Sequence, residues 1–305
     1  MKRLLARLSG VSMMLIVSLL IPLSVPAQPV TPSETRDVRE EAEEARRSMD
    51  LFLREQQVLF KRGEFEFELA PLYSSDTRTT FLRQGANVAL ADITTRLFLT
   101  TFIARYVLID DLELNLEIPF GYAEQEVDLG VAQSRRDEEG LGDIAGRLKY
   151  QLLHEFGARP AVMIELNVKS DTGADPLLGT DHWNVGMRMT FIKTLDPAVI
   201  FGSVGYTFAL ERNGRDPGDR FFASLGIGYS LNDRVSFNME VIGTGVEGSD
   251  ASDEILESSS LEVISLQFGV TVLVTEKFFI EPVVNLGLTD DAPDVVVGLS
   301  VPFSF

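Results

Sequence analysis

From Glu64 to the carboxyl terminus, apolar and polar residues alternate with a period of two. Leu112, Leu114, Leu116, Ile118 and Phe120 alternate with Glu113, Asn115, Glu117 and Pro119. Trp183, Val185, Met187, Met189 and Phe191 alternate with Asn184, Gly186, Arg188, Thr190 and Ile192. Val235, Phe237, Met239 and Val241 alternate with Ser236, Asn238, Glu240 and Ile242. Successive side chains of a strand point to opposite faces, so each segment has one greasy face and one mostly polar face. The pattern predicts twelve strands, roughly 64–73, 88–107, 112–126, 142–153, 160–171, 182–194, 198–210, 220–231, 234–245, 261–275, 278–289 and 294–305. The second is the poorest, with apolar residues on both faces from Leu97 to Val107, and its register is not fixed by the pattern.

The connections sort by length. Ile109-Asp110-Asp111, Leu195-Asp196-Pro197, Leu231-Asn232-Asp233-Arg234 and Thr275-Glu276-Lys277 are tight turns, and His154 to Arg159 is a slightly longer one. Between them fall polar loops near 74–87, 127–141, 172–181, 211–219 and 246–260, with a short one at 290–293. Outer-membrane barrels have short periplasmic turns and longer external loops. An even strand number returns both chain ends to the periplasm. The prediction is an all-β fold: a twelve-stranded antiparallel transmembrane β-barrel over 63–305, with the last strand paired to the first. A soluble sandwich gives no reason for this loop order, and its core would not take the Glu, Lys and Arg of the polar face. Tyr73, Phe120, Tyr122, Tyr150, Trp183, Tyr206, Phe208, Phe221, Tyr229, Phe278, Phe303 and Phe305 sit near strand ends, as an interfacial girdle requires.

The amino terminus reads as a leader. Lys2, Arg3 and Arg7 precede an apolar run from Val11 to Ile21, and Val25-Pro26-Ala27 suits cleavage before Gln28. Residues 1–27 are therefore a signal peptide, and the protein is exported to the outer membrane of a Gram-negative cell. Residues 28–62 predict a periplasmic amphipathic α-helix. Thr31-Pro32-Ser33-Glu34 forms a capping box, followed by a weak apolar seam at Val38, Ala42, Ala45, Met49, Phe52 and Leu59. Such a helix lies against the barrel mouth or the membrane interface, or associates with a second copy to give a homo-oligomer; a largely flexible tail is the third reading.

Composition removes several classes. The chain carries a formal charge of −19, which argues against a nucleic-acid partner. It has no cysteine, so neither a disulfide nor a lipid on cysteine can form. There is no His pair at ligand spacing, so no metal site or cofactor is expected. The external loops are acidic, with Asp137, Glu138 and Glu139 in one, Glu247, Asp250, Asp253, Glu254 and Glu257 in another, and Asp290, Asp291 and Asp294 in a third. They read as solvated faces; bridging divalent cations to lipopolysaccharide is the alternative. An enzyme would need a nucleophile and base within reach. The chain has only two histidines, and only His182, with a serine such as Ser170, is placed to try it.

Inward-facing charges are the candidate chemistry. Counted from the periplasmic turns, Glu117, Arg147, Glu165 and Arg188 fall at one height on consecutive strands, as a ladder of alternating sign. Glu113, Lys149 and Lys169 extend it, and Glu240 and Glu281 face it from the other wall. Two readings stay open: charges that pair and rigidify a nearly plugged barrel, or an electrostatic constriction that selects solutes.

Short motifs add a resemblance. They are Tyr106-Val107-Leu108-Ile109-Asp110-Asp111-Leu112-Glu113-Leu114, Ile118-Pro119-Phe120, Gly140-Leu141-Gly142-Asp143, Thr172-Gly173 and Gly179-Thr180. Over about 95–305 the chain resembles outer-membrane barrels of the meta-pathway phenol-degradation type, described as transporters. It departs from them at Asp171, where the family usually has Pro, and at Val107, where it usually has Gly after the tyrosine. The resemblance implies passive passage of a small organic solute, hydrophobic ones included. It also implies that Phe303 and Phe305 form the mark read by the barrel-assembly machinery. The alternative is a closed structural or binding barrel acting through its external loops or its helix.

Overall fold

The computed structural model describes residues 62–84, 87–130, 132–173, 177–211, 217–247, 261–275 and 277–305. The leader over 1–27 and nearly all of the helix expected over 28–62 lie outside them.

The strands are β1 (Phe65–Gln84), β2 (Asn87–Ile109), β3 (Leu112–Asp128), β4 (Gln133–Leu141) and β5 (Ala145–Leu153). They continue with β6 (Ala161–Lys169), β7 (Asn184–Leu195), β8 (Ala198–Ala209) and β9 (Asp219–Asn232). The last four are β10 (Val235–Glu247), β11 (Leu261–Thr275), β12 (Phe278–Gly287) and β13 (Val295–Ser304). Each pairs antiparallel with its neighbours. β13 pairs with β1 from Glu66↔Ser304 to Ser75↔Val295, so the sheet closes on itself. β4 and β5 lie end to end along β3: β5 opposite 112–117 and β4 opposite 120–128. They are two halves of one stave broken at 142–144, and the barrel has twelve staves.

Closure leaves no sheet edge with unpaired N–H and C=O groups, which a lipid environment demands. The outer face explains why lipid is the solvent. Phe98, Leu116, Phe120, Met187, Phe208, Leu225, Tyr229 and Val297 all stand exposed on it, with Met187 and Phe208 more than half bare. An apolar surface this extensive has no place in water. A strand crosses the hydrocarbon in about 9–11 residues, and β5 and β6 are nine residues each.

The structure corrects two expected loops. Segments 74–87 and 127–141 are mostly strand: β1 and β2 run on as a ladder up to Gln84↔Asn87, and β4 continues the wall beside β3. Above the membrane both faces of a hairpin meet water, so nothing enforces alternation there. Arg96, Arg135 and Glu124 lace this upper wall, with Glu124 accepting from both arginines at 2.8 and 2.6 Å. The register of β2 is also settled. Arg105 lies opposite Glu66, which places Leu97, Leu99, Ile103 and Arg105 inside and Phe98, Phe102 and Tyr106 outside.

At the periplasmic end, β-bulges interrupt the ladders at Val107/Ile109, Gln151/Leu153, Val235/Ser236 and Leu273/Thr275. Bulges bend strands and are common at barrel rims. One turn there carries a compact clamp. Lys193 Nζ donates to Glu155 Oε1 at 2.5 Å, and Thr194 donates from N to Oε1 (3.1 Å) and from Oγ1 to Oε2 (2.9 Å). Partial burial pushes the Glu155 carboxyl up, but these hydrogen bonds more than offset it and hold it below its ordinary value. A depressed carboxylate stabilises the fold above its unfolded pKa, and the contribution is lost as pH falls through the folded one. Wild type is therefore expected to exceed Glu155→Gln in urea midpoint by a constant gap above about pH 4.3. That gap should close on further acidification, and a gap surviving at about pH 3 would contradict the assignment.

Candidate functional site

Period two sends Glu113, Glu117, Arg147, Lys149, Glu165, Lys169, Arg188, Glu240 and Glu281 to the inner face, and the strand pairing brings four of them into one register. Glu113 lies opposite Lys149, Lys149 opposite Glu165, and Glu165 opposite Arg188. This rung of alternating sign crosses β3, β5, β6 and β7. Lys149 Nζ is 4.0 Å from Glu113 Oε1. Arg188 sits 4.3 Å over the ring of Phe222 and is attracted by both Glu165 and Glu240. The residues flanking this reach are glycines: Gly205 opposite Arg188 and Gly226 opposite Glu240. Glu281 lies opposite Ser300.

The expected composition of the rung needs correction. Glu113 and Lys149 occupy it rather than Glu117 and Arg147. Arg147 lies opposite Asn115 and reaches Glu117 diagonally, Nη2 to Oε2 at 2.9 Å. Heights counted from turns ignore strand stagger and the bulge at Gln151/Leu153, and together these displace β5 against its neighbours. Lys169 leaves the ladder altogether for the outer rim.

Three inward residues were not singled out as a site. Arg105 hydrogen-bonds the carboxylates of both Glu66 and Glu68. Ser304 Oγ donates to Glu66 at 2.9 Å, and Ser300 Oγ donates to Glu68 at 2.7 Å. The cluster spans the β13–β1–β2 seam, and both glutamates are buried. Glu66 and Glu68 already alternate with Phe65 and Phe67 in the sequence. A buried carboxylate pair requires a cation, and that requirement was the available signal.

On β6, β7 and β8 the inner face turns apolar toward the periplasmic end. Ala161, Met163, Ile192, Val199 and Phe201 form one cluster, with Ile192 at 0% and Val199 at 1% exposure. Ile192 faces Ala161 and Phe201 in register. These residues sit within a few positions of the periplasmic turns.

Above the rung, at the break between β4 and β5, the short motifs converge. Asp143 Oδ1 accepts Gly173 N at 2.9 Å. Its Oδ2 accepts Thr180 N (2.7 Å), Thr180 Oγ1 (2.7 Å) and Lys169 Nζ (3.1 Å). Thr172 Oγ1 accepts Ile144 N at 2.9 Å, and Gly142 N donates to Pro119 O at 2.9 Å. Burial pushes the Asp143 carboxyl up, yet these donors hold it below its ordinary value. A Cβ on Gly173 would stand 2.6 Å from Gly179 Cα, so the two backbones approach closer than any side chain allows. Gly142-Asp143, Thr172-Gly173 and Gly179-Thr180 are thus one knot, which ties the external crossing of 170–183 to the broken stave. Ser170 and His182 do not meet as a catalytic pair. Ser170 Oγ bonds Ile144 O and Thr172 Oγ1, both at 2.9 Å, and His182 Nδ1 bonds Thr180 O.

Residues 76–305 match the family described as "Putative MetA-pathway of phenol degradation". Among solved structures, an outer membrane channel from Pseudomonas putida F1 is similar with a TM-score of 0.63 and 16% identity. The match covers 81% of this chain and 97% of that one. At this identity the likeness speaks for the fold. The translocator domain of the autotransporter NalP from Neisseria meningitidis matches at 0.48 and 10% identity, covering 89% of this chain and 98% of its own. The toluene transporter TodX of Pseudomonas putida matches at 0.39 and 10%, covering 82% and 90%. These last two are too distant to bear on the argument.

Proposed function

The chain belongs to the family of that description, and from this membership we propose that it is an outer-membrane channel for passive passage of a small organic solute. The observation that carries the reading is the charged rung Glu113–Lys149–Glu165–Arg188 enclosed by a closed wall with an apolar exterior. Charges of both signs at mid-height select among solutes by field as well as size. Twelve staves, with most inward side chains of the periplasmic half buried, leave room for a small solute only. Purified protein in a planar bilayer is expected to give small openings, and Arg147→Ala to shift their ion selectivity. No opening above background sinks the channel reading. Unchanged selectivity with only lower thermal stability makes Arg147 a wall brace.

The apolar cluster at the base favours a second reading, a closed barrel that acts through its loops or its amino-terminal segment. The same bilayer trace separates the two. No catalytic pair is inferred from Ser170 and His182: the serine hydroxyl bonds Ile144 O and Thr172 Oγ1, and the imidazole Nδ1 bonds Thr180 O.

The assembly role of Phe303 and Phe305 belongs to this proposal. Phe305 N donates to Phe65 O at 2.9 Å, their rings lie 5.9 Å apart, and Phe303 stacks on Phe278 at 4.7 Å. The aromatic end therefore sits on the seam, where assembly finishes. Deleting Phe305 is expected to lower the amount of barrel inserted in the outer membrane without lowering the exported amount. Fractionated cells probed with antibody measure both, and normal insertion of the deletion variant rejects the role.

A further inference from the structure

Among the described residues, the inward cations are matched to acids with one exception. Arg105 has Glu66 and Glu68, Arg147 has Glu117, Lys149 has Glu113, and Lys169 has Asp143. Arg188 is drawn to Glu165 and Glu240. Arg220 has no carboxylate within ion-pair distance, and its Nε has no acceptor. It stands near the start of β9, opposite Thr207 on β8 and Val246 on β10, just inside the outer mouth. A half-buried guanidinium left unpaired is costly, because burial removes hydration without supplying an anion.

The neighbourhood is also short of partners. Asn184, opposite Lys169 and Ala209, is 2% exposed, and neither atom of its amide has a hydrogen bond. His182, two residues before it, is buried. Its Nδ1 faces a carbonyl oxygen and so donates, which leaves Nε2 a bare acceptor without a partner. Lys169 and Arg220 both bear electrostatically on that ring, so the three groups share one locality. Buried polar groups nearly always find partners, and this concentration of unfilled ones beside an unpaired arginine marks a place for a ligand.

We propose that Arg220, with Asn184 two strands away on the same inner face, forms a subsite at the outer mouth for the carboxylate of a small aromatic acid. The guanidinium presents a planar fork that matches a carboxylate with two parallel hydrogen bonds. The Asn184 amide supplies a further donor. Phe222 lies two residues further in on the same face of β9 and offers an apolar ring to the body of the solute, which a small inorganic anion cannot use. The site lies above the rung, so an acid released from Arg220 next meets Arg188 beside Phe222.

This inference deepens the channel reading and rests on it for its meaning, but binding is measured without conduction. Full-length protein in detergent is titrated calorimetrically with sodium benzoate, with benzyl alcohol as the neutral ring and sodium chloride as the simple anion. Wild type is expected to bind benzoate at least tenfold tighter than either control. Arg220→Gln should lose at least tenfold in benzoate affinity, and Arg220→Lys should keep part of it. Retained heat-modifiable migration on an unheated gel shows that each variant is folded. Equal benzoate affinity in wild type and Arg220→Gln overturns the proposal. So does competition by chloride as strong as benzoate, which indicates a general counter-ion site. Binding without conductance leaves the subsite standing and removes the channel.

Discussion

Replacing Arg105 with methionine is expected to destabilise the folded barrel by about 3–5 kcal/mol, the cost typical of removing one partner from a buried ion cluster. Arg105 holds two buried carboxylates at once, Glu66 directly opposite and Glu68 one step along the same face. Ser304 and Ser300 reach Glu66 and Glu68 from the other side, so the cluster ties the last strand, the first and the second together. Without the guanidinium, two carboxylates face each other with little water to screen them. They must take up protons or draw water into the seam. Adding Glu66→Gln and Glu68→Gln to the methionine variant removes the unpaired charges and should recover most of the loss. Urea unfolding followed by fluorescence of the single tryptophan, Trp183, measures each variant. A loss below about 1 kcal/mol for Arg105→Met would place the cluster with exposed, screened pairs and not with buried ones.

That cluster also shows what period-two reasoning resolves. Where one face meets lipid and the other meets charge, as in Leu112–Phe120, alternation fixed the face of every residue, and Glu113 and Glu117 point inward as expected. In β2 the lumen face is itself apolar at Leu97, Leu99 and Ile103, so both faces read alike and Arg105 could not be placed. Of the expected rung, Glu165 and Arg188 hold their places while Glu113 and Lys149 stand where Glu117 and Arg147 were expected, because partners are set by stagger and by the bulge at Gln151/Leu153 and not by height above a turn. The knot at Asp143 was visible only as scattered Gly, Thr and Asp motifs. Nothing local to Gly142-Asp143 announces that Gly173 and Thr180, 30 and 37 residues away, supply its donors. The apolar base was hidden by an assumption, that inward means polar. Ile192 already broke that rule in the sequence, at the periplasmic end of a strand whose other inward positions are Asn184, Gly186, Arg188 and Thr190.

The base carries the second large effect. Phe201→Ala is expected to raise single-channel conductance several-fold. The ring of Phe201 lies over Gly226 of the next strand, in the space a side chain there would take, and Ile192 backs it in register on the other side. Together with Met163 and Val199 they make an apolar patch on one side of the inner wall, toward the periplasmic end from Glu165 and Arg188. An apolar constriction opposes ions because it sheds water, whatever its charge-lined approaches do. Removing the ring deletes the largest member of the patch, and water can enter the gap. If the gap instead stays dry, the cost appears as stability, about 3–5 kcal/mol for a buried phenylalanine truncated to alanine. The two outcomes are read in separate experiments, a bilayer trace and a urea transition. Higher conductance with a small stability loss identifies the patch as part of a gate in the channel. Unchanged conductance with the full stability loss makes it the packed floor of a barrel that does not conduct through its base, and the solute path must then be sought elsewhere in the wall.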